Sequence, residues 1–159
     1  MSWKEAYIKQ AKSDFMIYKE FSKTRKPICQ QLHYLQMATE KLAKSYLCSL
    51  QNGHPKITHF ALVKFLKICK RQPDIRAKLG FENKHTRFSS YIDSLLPIAD
   101  MIEQLAPVGT KLDRPNPEYP WISNKEVIPP IDYDFSNFKD KHIQMSKFLK
   151  FIHKLIDVS

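Results

Sequence analysis

Several sets of side chains in this sequence have the types and spacing to do chemistry. Glu82 and His85 stand as Glu-x-x-His, which on a helix places a carboxylate and an imidazole on one face, and Arg87 follows two residues later. Di-iron carboxylate bundles use this spacing, but they need two copies and two further glutamates on facing helices. Only one copy is present, and the remaining glutamates are scattered. His54 and His59 lie five apart across a proline loop and could clasp a metal. No cysteine or carboxylate nearby completes a tetrahedral set, so no metal and no cofactor is expected. Glycine-rich phosphate loops, serine nucleophile elbows and recognisable Cys/His dyads are absent from the sequence.

Two further sets suggest binding rather than catalysis. Lys41, Lys44, Lys64, Lys67 and Arg71 would form one basic strip if the helices that carry them pack side by side. Such cations hold phosphate backbones without reading bases, and their grip weakens as salt rises. Glu40 and Lys44 also have the i,i+4 spacing of an ordinary surface pair. In the segment 115–121, Asn116, Glu118, Tyr119 and Trp121 combine hydrogen-bonding groups with rings that could stack a base or line a ligand pocket. The neighbouring prolines would hold Asn116 and Glu118 in fixed directions. The same rings could simply anchor the loop.

The charge distribution favours a polyanionic partner. The chain of 159 residues carries a formal net charge of +10, and residues 41–90 hold eleven Lys/Arg against two Asp/Glu. Residues 91–159 hold eight against ten. Cys29, Cys48 and Cys69 are odd in number and without a CxxC pair, which fits buried thiols in a reducing compartment. No apolar run approaches a membrane span, and residues 1–14 lack the apolar core of a secretory signal. A cytoplasmic protein without a membrane partner is expected.

The elements that must position these groups read as helices around a single core, with the whole chain forming one domain. Ser2 and Glu5 make a capping box for a helix over 2–22, whose apolar spacing is interrupted by Asp14. Residues 29–50 contain neither proline nor glycine, and Ile28, Leu32, Leu35, Thr39, Leu42 and Tyr46 recur every three or four residues. Gln36, Glu40, Lys41 and Lys44 occupy the opposite face of this spine. Thr58 is placed to cap a third helix with Leu62, Phe65, Leu66 and Cys69 inward, and Pro73 ends it. A further turn or two closes at Gly80. A fourth long helix spans about 85–106, with Pro97 either kinking it or dividing it.

Six of the ten prolines fall within 107–135, excluding helix from most of that stretch. Its aromatics instead predict an ordered, extended excursion, with room for a short strand pair. Asn137 and Asp140 then predict the start of a final helix, with Ile143, Met145, Phe148, Leu149, Ile152, Leu155 and Ile156 on its apolar side. The expected fold is all-α: an up-and-down bundle of four to five long helices, interrupted by a proline-rich insertion before the last.

The strings WKEAYIKQAKSDFMIY, HYLQMATEKLAKSYL and HPKITHFALVKFL resemble the HEPN superfamily over roughly the first 70 residues. The resemblance rests on an aromatic/Ala/Asp first helix, on Gln36, Glu40, Lys41 and Lys44 in the second, and on Thr58-His59 opening the third. The insertion DRPNPEYPW is similar to one found in a bacterial subgroup of HEPN-like proteins. The resemblance implies a helical homodimer associated with RNA processing, defence or toxin–antitoxin systems. Active HEPN ribonucleases carry Arg followed four to six residues later by His, so that Arg holds the phosphate while His moves a proton. Arg76 precedes His85 by nine positions and Arg25 precedes His33 by eight, so the spacing is missing. The expectation is therefore a non-catalytic protein that binds RNA or a protein partner through a basic face. The alternatives are a ribonuclease toxin with a displaced site at His85 and Arg87, or the partner module of a small nucleotidyltransferase or an antitoxin.

Overall fold

The first helix, α1, runs from Trp3 to Lys23 in the computed structural model, which describes residues 1–51, 60–107 and 114–159. Both arms of its capping box form: Ser2 Oγ accepts from the Glu5 backbone N–H at 3.2 Å, and Glu5 Oε2 accepts from Ser2 N–H at 2.7 Å. Arg25, in a left-handed conformation at φ 55°, and Pro27 turn the chain within four residues into α2, Ile28–Gln51. The two helices pack against each other as an antiparallel pair. Cys29, Leu32, Leu35, Ala38, Leu42, Ala43 and Leu47 of α2 enter the core, so α2 is the spine that its periodicity predicts. Burying each such leucine fully contributes about 1.5–3 kcal/mol. The apolar stripe of α1 is shorter than its spacing suggests, since Ala11 and Phe15 are buried but Trp3 is exposed.

The middle of the chain is built from short pieces. Helix α3, Leu62–Cys69, buries Leu62, Phe65, Leu66 and Cys69. Helix α4, Pro73–Lys78, begins with its proline and closes at Gly80, whose φ of +80° suits a residue without Cβ. The expected helix over 85–106 is divided: α5, His85–Asp93, and α6, Leu96–Glu103, meet at Ser94 and Leu95. Pro97 has no N–H for the Asp93 carbonyl and its ring crowds that carbonyl, so the ladder stops there.

Two strands, β1 (Trp121–Ser123) and β2 (Glu126–Ile128), pair antiparallel with Trp121 opposite Ile128. Asn124 and Lys125 turn the hairpin, both at positive φ, as a two-residue loop of primed type requires. A 3₁₀ turn over Pro130–Asp132 follows. The last helix differs from expectation at its start. Asn137 lies inside a single turn, α7 (Ser136–Lys139), and caps nothing; Asp134 Oδ1 instead accepts from Ser136 N–H at 2.9 Å. Helix α8 then runs His142–Asp157, with Phe148, Phe151, Ile152, Leu155 and Ile156 buried. Ile143, assigned inward by its apolar character, is 69% exposed because nine residues of helix place it on the side opposite Ile152.

The fold is mostly helical with one small hairpin. Among the described residues α1, α2 and α8, of 21, 24 and 16 residues, are the long helices, and the others run four to nine residues. Prolines at 73 and 97 shorten the middle elements. Among the described residues, no helix is long and apolar enough to cross a membrane. Thr58, His54 and His59 lie outside the described residues.

Candidate functional site

The five cations of the expected basic strip divide into two groups. Lys41 turns toward α1, where its Nζ lies 2.5 Å from Asp14 Oδ2 and only 19% of its side chain is exposed. Gln10 Nε2 donates to the other Asp14 oxygen at 3.0 Å. The acid that interrupts the α1 stripe is therefore the buried partner of an interhelical ion pair. Lys44 Nζ lies 2.5 Å from Glu40 Oε1, and Gln36 Nε2 donates to Glu40 Oε2 at 2.8 Å. Gln36 is buried and the Glu40–Lys44 pair nearly so. The i,i+4 spacing of this pair does produce a pair, but in the interior. Lys41 and Lys44 thus spend their charge on packing α2 and do not extend the strip.

Lys64, Lys67 and Arg71 are exposed. Their spacing of three and four residues sets Lys64 and Lys67 along one side of α3, with Arg71 directly beyond its end, while Leu62, Phe65, Leu66 and Cys69 fix the other side in the core. Lys70, beside them, bonds Asp93 with both carboxylate oxygens, at 2.8 and 2.9 Å. No carboxylate among the described residues pairs with Lys64, Lys67 or Arg71. Residues 60–90 hold eight Lys/Arg and two Asp/Glu, so this part of the surface carries much of the net positive charge.

The orientation of α3 depends on a residue that the sequence does not flag. Glu103, buried on α6, accepts from the backbone N–H of Leu62 at 2.7 Å and of Val63 at 3.3 Å. Phe60 and Ala61 offer no side-chain acceptor, so a carboxylate forty residues away serves as the cap. Burial pushes the Glu103 carboxyl above its ordinary pKa. The two backbone donors oppose the shift, and the nearby charges of Asp100 and Glu40 add to it.

The other candidates are placed apart. His85 and Arg87 are both exposed on α5, and two residues along a helix point them in nearly opposite directions. Arg87 borders a shallow hollow with Phe81, Ser90, Tyr91 and Lys147, and His85 does not reach it. Glu82 is exposed and makes no cluster with His85; among the described residues no group of three or more His, Cys, Asp or Glu could hold a metal.

In the proline-rich excursion, Asn116 is buried and folds back on its own chain, accepting from the N–H of Glu118 at 2.7 Å and of Tyr119 at 3.0 Å. Trp121 is 2% exposed, edge-on to Tyr133 with centroids 5.1 Å apart, and is a core anchor rather than an open stacking platform. Tyr119 is half exposed, and its hydroxyl pKa is raised by its hydrogen bond to Glu118. Glu118 also lies 3.8 Å from His33 Nδ1 on α2. These two line a cleft of about 480 Å³ with Tyr34, Gln30, Pro117 and Ile131. His33 was not singled out by sequence, because only the fold brings residue 118 against residue 33.

The three thiols are free and buried, and burial raises the pKa of each; that of Cys69 is pushed up to about 12. No protein-family model, curated protein or solved structure matches this chain.

Proposed function

We propose that this chain is a HEPN-like helical protein that binds single-stranded RNA through the outer face of α3 and the basic segment that follows it, without cleaving the RNA. The observation that carries this reading is the row Lys64, Lys67 and Arg71, exposed and without a carboxylate partner among the described residues, on an element whose other side is fixed in the core. Three cations held by a rigid scaffold contact successive phosphates at low entropic cost. Lysine and arginine contacts to phosphates carry no base readout, so affinity is expected to be largely independent of sequence and strongly dependent on salt.

A non-catalytic role is supported by the wide separation of the titratable candidates. His85 and Arg87 diverge on α5, and a 2′-hydroxyl transfer needs base and phosphate clamp within hydrogen-bond reach of one phosphodiester. Three buried thiols support a reducing, cytoplasmic setting. The test is fluorescence anisotropy of a labelled 20-nucleotide RNA at several salt concentrations in chelator, followed by electrophoresis of the same RNA. Saturable, salt-sensitive binding with intact RNA is the expected result. Absence of binding at low ionic strength would remove the proposal. Cleavage abolished by His85→Ala would favour the ribonuclease alternative instead.

A further inference from the structure

A second surface, remote in sequence from α3, lies between the first and last long helices. Helices α1 and α8 meet where the rings of Phe15 and His153 stand 6.2 Å apart, and beyond that point they line an open groove of about 590 Å³ that runs to Phe138 of α7. Its floor is apolar: Phe15, Tyr18, Phe138, Met145 and Leu149. Residues 15–23 of α1 border it, about two turns or roughly 12 Å of helix. Lys19 and Lys23 stand on one bank and Lys150 on the other, all exposed. No Asp or Glu lines the groove. The three lysines have no carboxylate partner among the described residues, and Asp157, past the end of the groove, lies 3.7 Å from His153.

We infer that this groove is a docking site for an acidic amphipathic helix of a partner protein, with its apolar ridge on the floor and its flanking carboxylates against Lys19, Lys23 and Lys150. The pattern of an apolar trough between two banks of one charge is complementary to a helix with i, i+3, i+4, i+7 apolar residues and acidic shoulders. Charge also argues against a second copy of this chain in the same place. An isologous contact would set the three lysines of one copy against those of the other.

The test uses the full chain and a labelled 16-residue model helix with leucines at i, i+3, i+4 and i+7 and glutamates on both flanks. Its control is the same apolar face flanked by lysines. Anisotropy should show saturable binding of the acidic helix, and at least tenfold weaker binding of the basic one. Leu149→Glu, with unchanged circular dichroism, should weaken the acidic helix tenfold or more while leaving RNA binding at wild-type strength. If Leu149→Glu unfolds the protein, the triple exchange Lys19→Glu, Lys23→Glu, Lys150→Glu on the exposed rim replaces it and should reverse the preference between the two helices. Equal affinity for both helices, or retention of the acidic helix by the triple exchange, would overturn the inference. So would binding to phosphatidylglycerol vesicles that outcompetes the acidic helix, or concentration-dependent dimerisation abolished by the same exchange.

Discussion

Helices α2 and α3 each carry two lysines, yet the fold treats them in opposite ways. Lys41 and Lys44 on α2 are part-buried and bonded to Asp14 and Glu40. Lys64, Lys67 and Arg71 on and just after α3 are exposed, with no carboxylate partner among the described residues. A part-buried cation of the first kind serves the interior, because its loss strands a carboxylate that water reaches poorly. A cation of the second kind leaves the fold nearly unchanged when removed and is available to a ligand. Charge counts along a sequence describe where positive charge is concentrated, whereas burial and pairing decide which of it a partner can use.

The sharpest way to break this contrast is to remove one side of the Asp14–Lys41 pair. Lys41→Ala leaves Asp14 buried with only Gln10 beside it and should cost about 2–4 kcal/mol, slightly below the range for a fully buried pair because Lys41 keeps some exposure. Asp14→Ala should cost less, about 1–2 kcal/mol, since Lys41 can swing its ammonium into water. Urea denaturation of both variants measures the asymmetry. Equal and negligible costs would mean that this pair behaves as an ordinary surface one.

Next in size is the cap that fixes α3. Glu103→Ala should cost about 1–2 kcal/mol by orphaning the Leu62 and Val63 N–H groups, and it should loosen the basic row along with the helix. Glu103→Gln keeps an acceptor and should cost less. Because burial raises the Glu103 pKa in the folded protein, protonation is favoured there more than in the unfolded chain. Its contribution to stability is fully present below the unfolded value, and it is lost as pH rises through the folded one. The stability of Glu103→Gln relative to the wild type should therefore increase with pH from the ordinary Glu value up to the raised one. Melting curves across that interval check the sign.

Smaller still is the effect on the thiols. Cys69, with its pKa pushed up to about 12, should resist a disulfide-exchange reagent in the folded protein and react on denaturation. Rapid native labelling would show that α3 opens locally, and would weaken its standing as a rigid platform.

Much of the helical frame was legible in sequence because it depends on local rules. The Ser2–Glu5 capping box, the proline-free spine of α2, the stop at Gly80 and the division near Pro97 all follow from residues within a few positions of one another. The site was less legible because its decisive contacts are long-range. Asp14 meets Lys41, Glu103 caps Leu62, and Glu118 approaches His33 across separations that periodicity does not encode. Trp121 illustrates the ambiguity: a tryptophan among prolines fits a ligand loop as well as the commoner anchor, and its edge-on packing on Tyr133 with 2% exposure decides for the anchor. Asn137 failed as a cap for a similar reason, since Asp134 three residues earlier already serves the turn.

The cations on and just after α3, and not those of α2, are the ones proposed to hold RNA. The most direct measurement is the slope of log affinity against log salt for one single-stranded RNA, in three proteins. For Lys64→Ala/Lys67→Ala/Arg71→Ala the slope should become shallower by about 2, as the loss of three phosphate contacts requires, while stability stays within about 0.5 kcal/mol of wild type. For Asp14→Leu/Lys41→Met, which replaces the interior pair by apolar side chains, the slope should match wild type. A wild-type slope in the triple variant, or a shallower one in the interior double variant, would contradict the account.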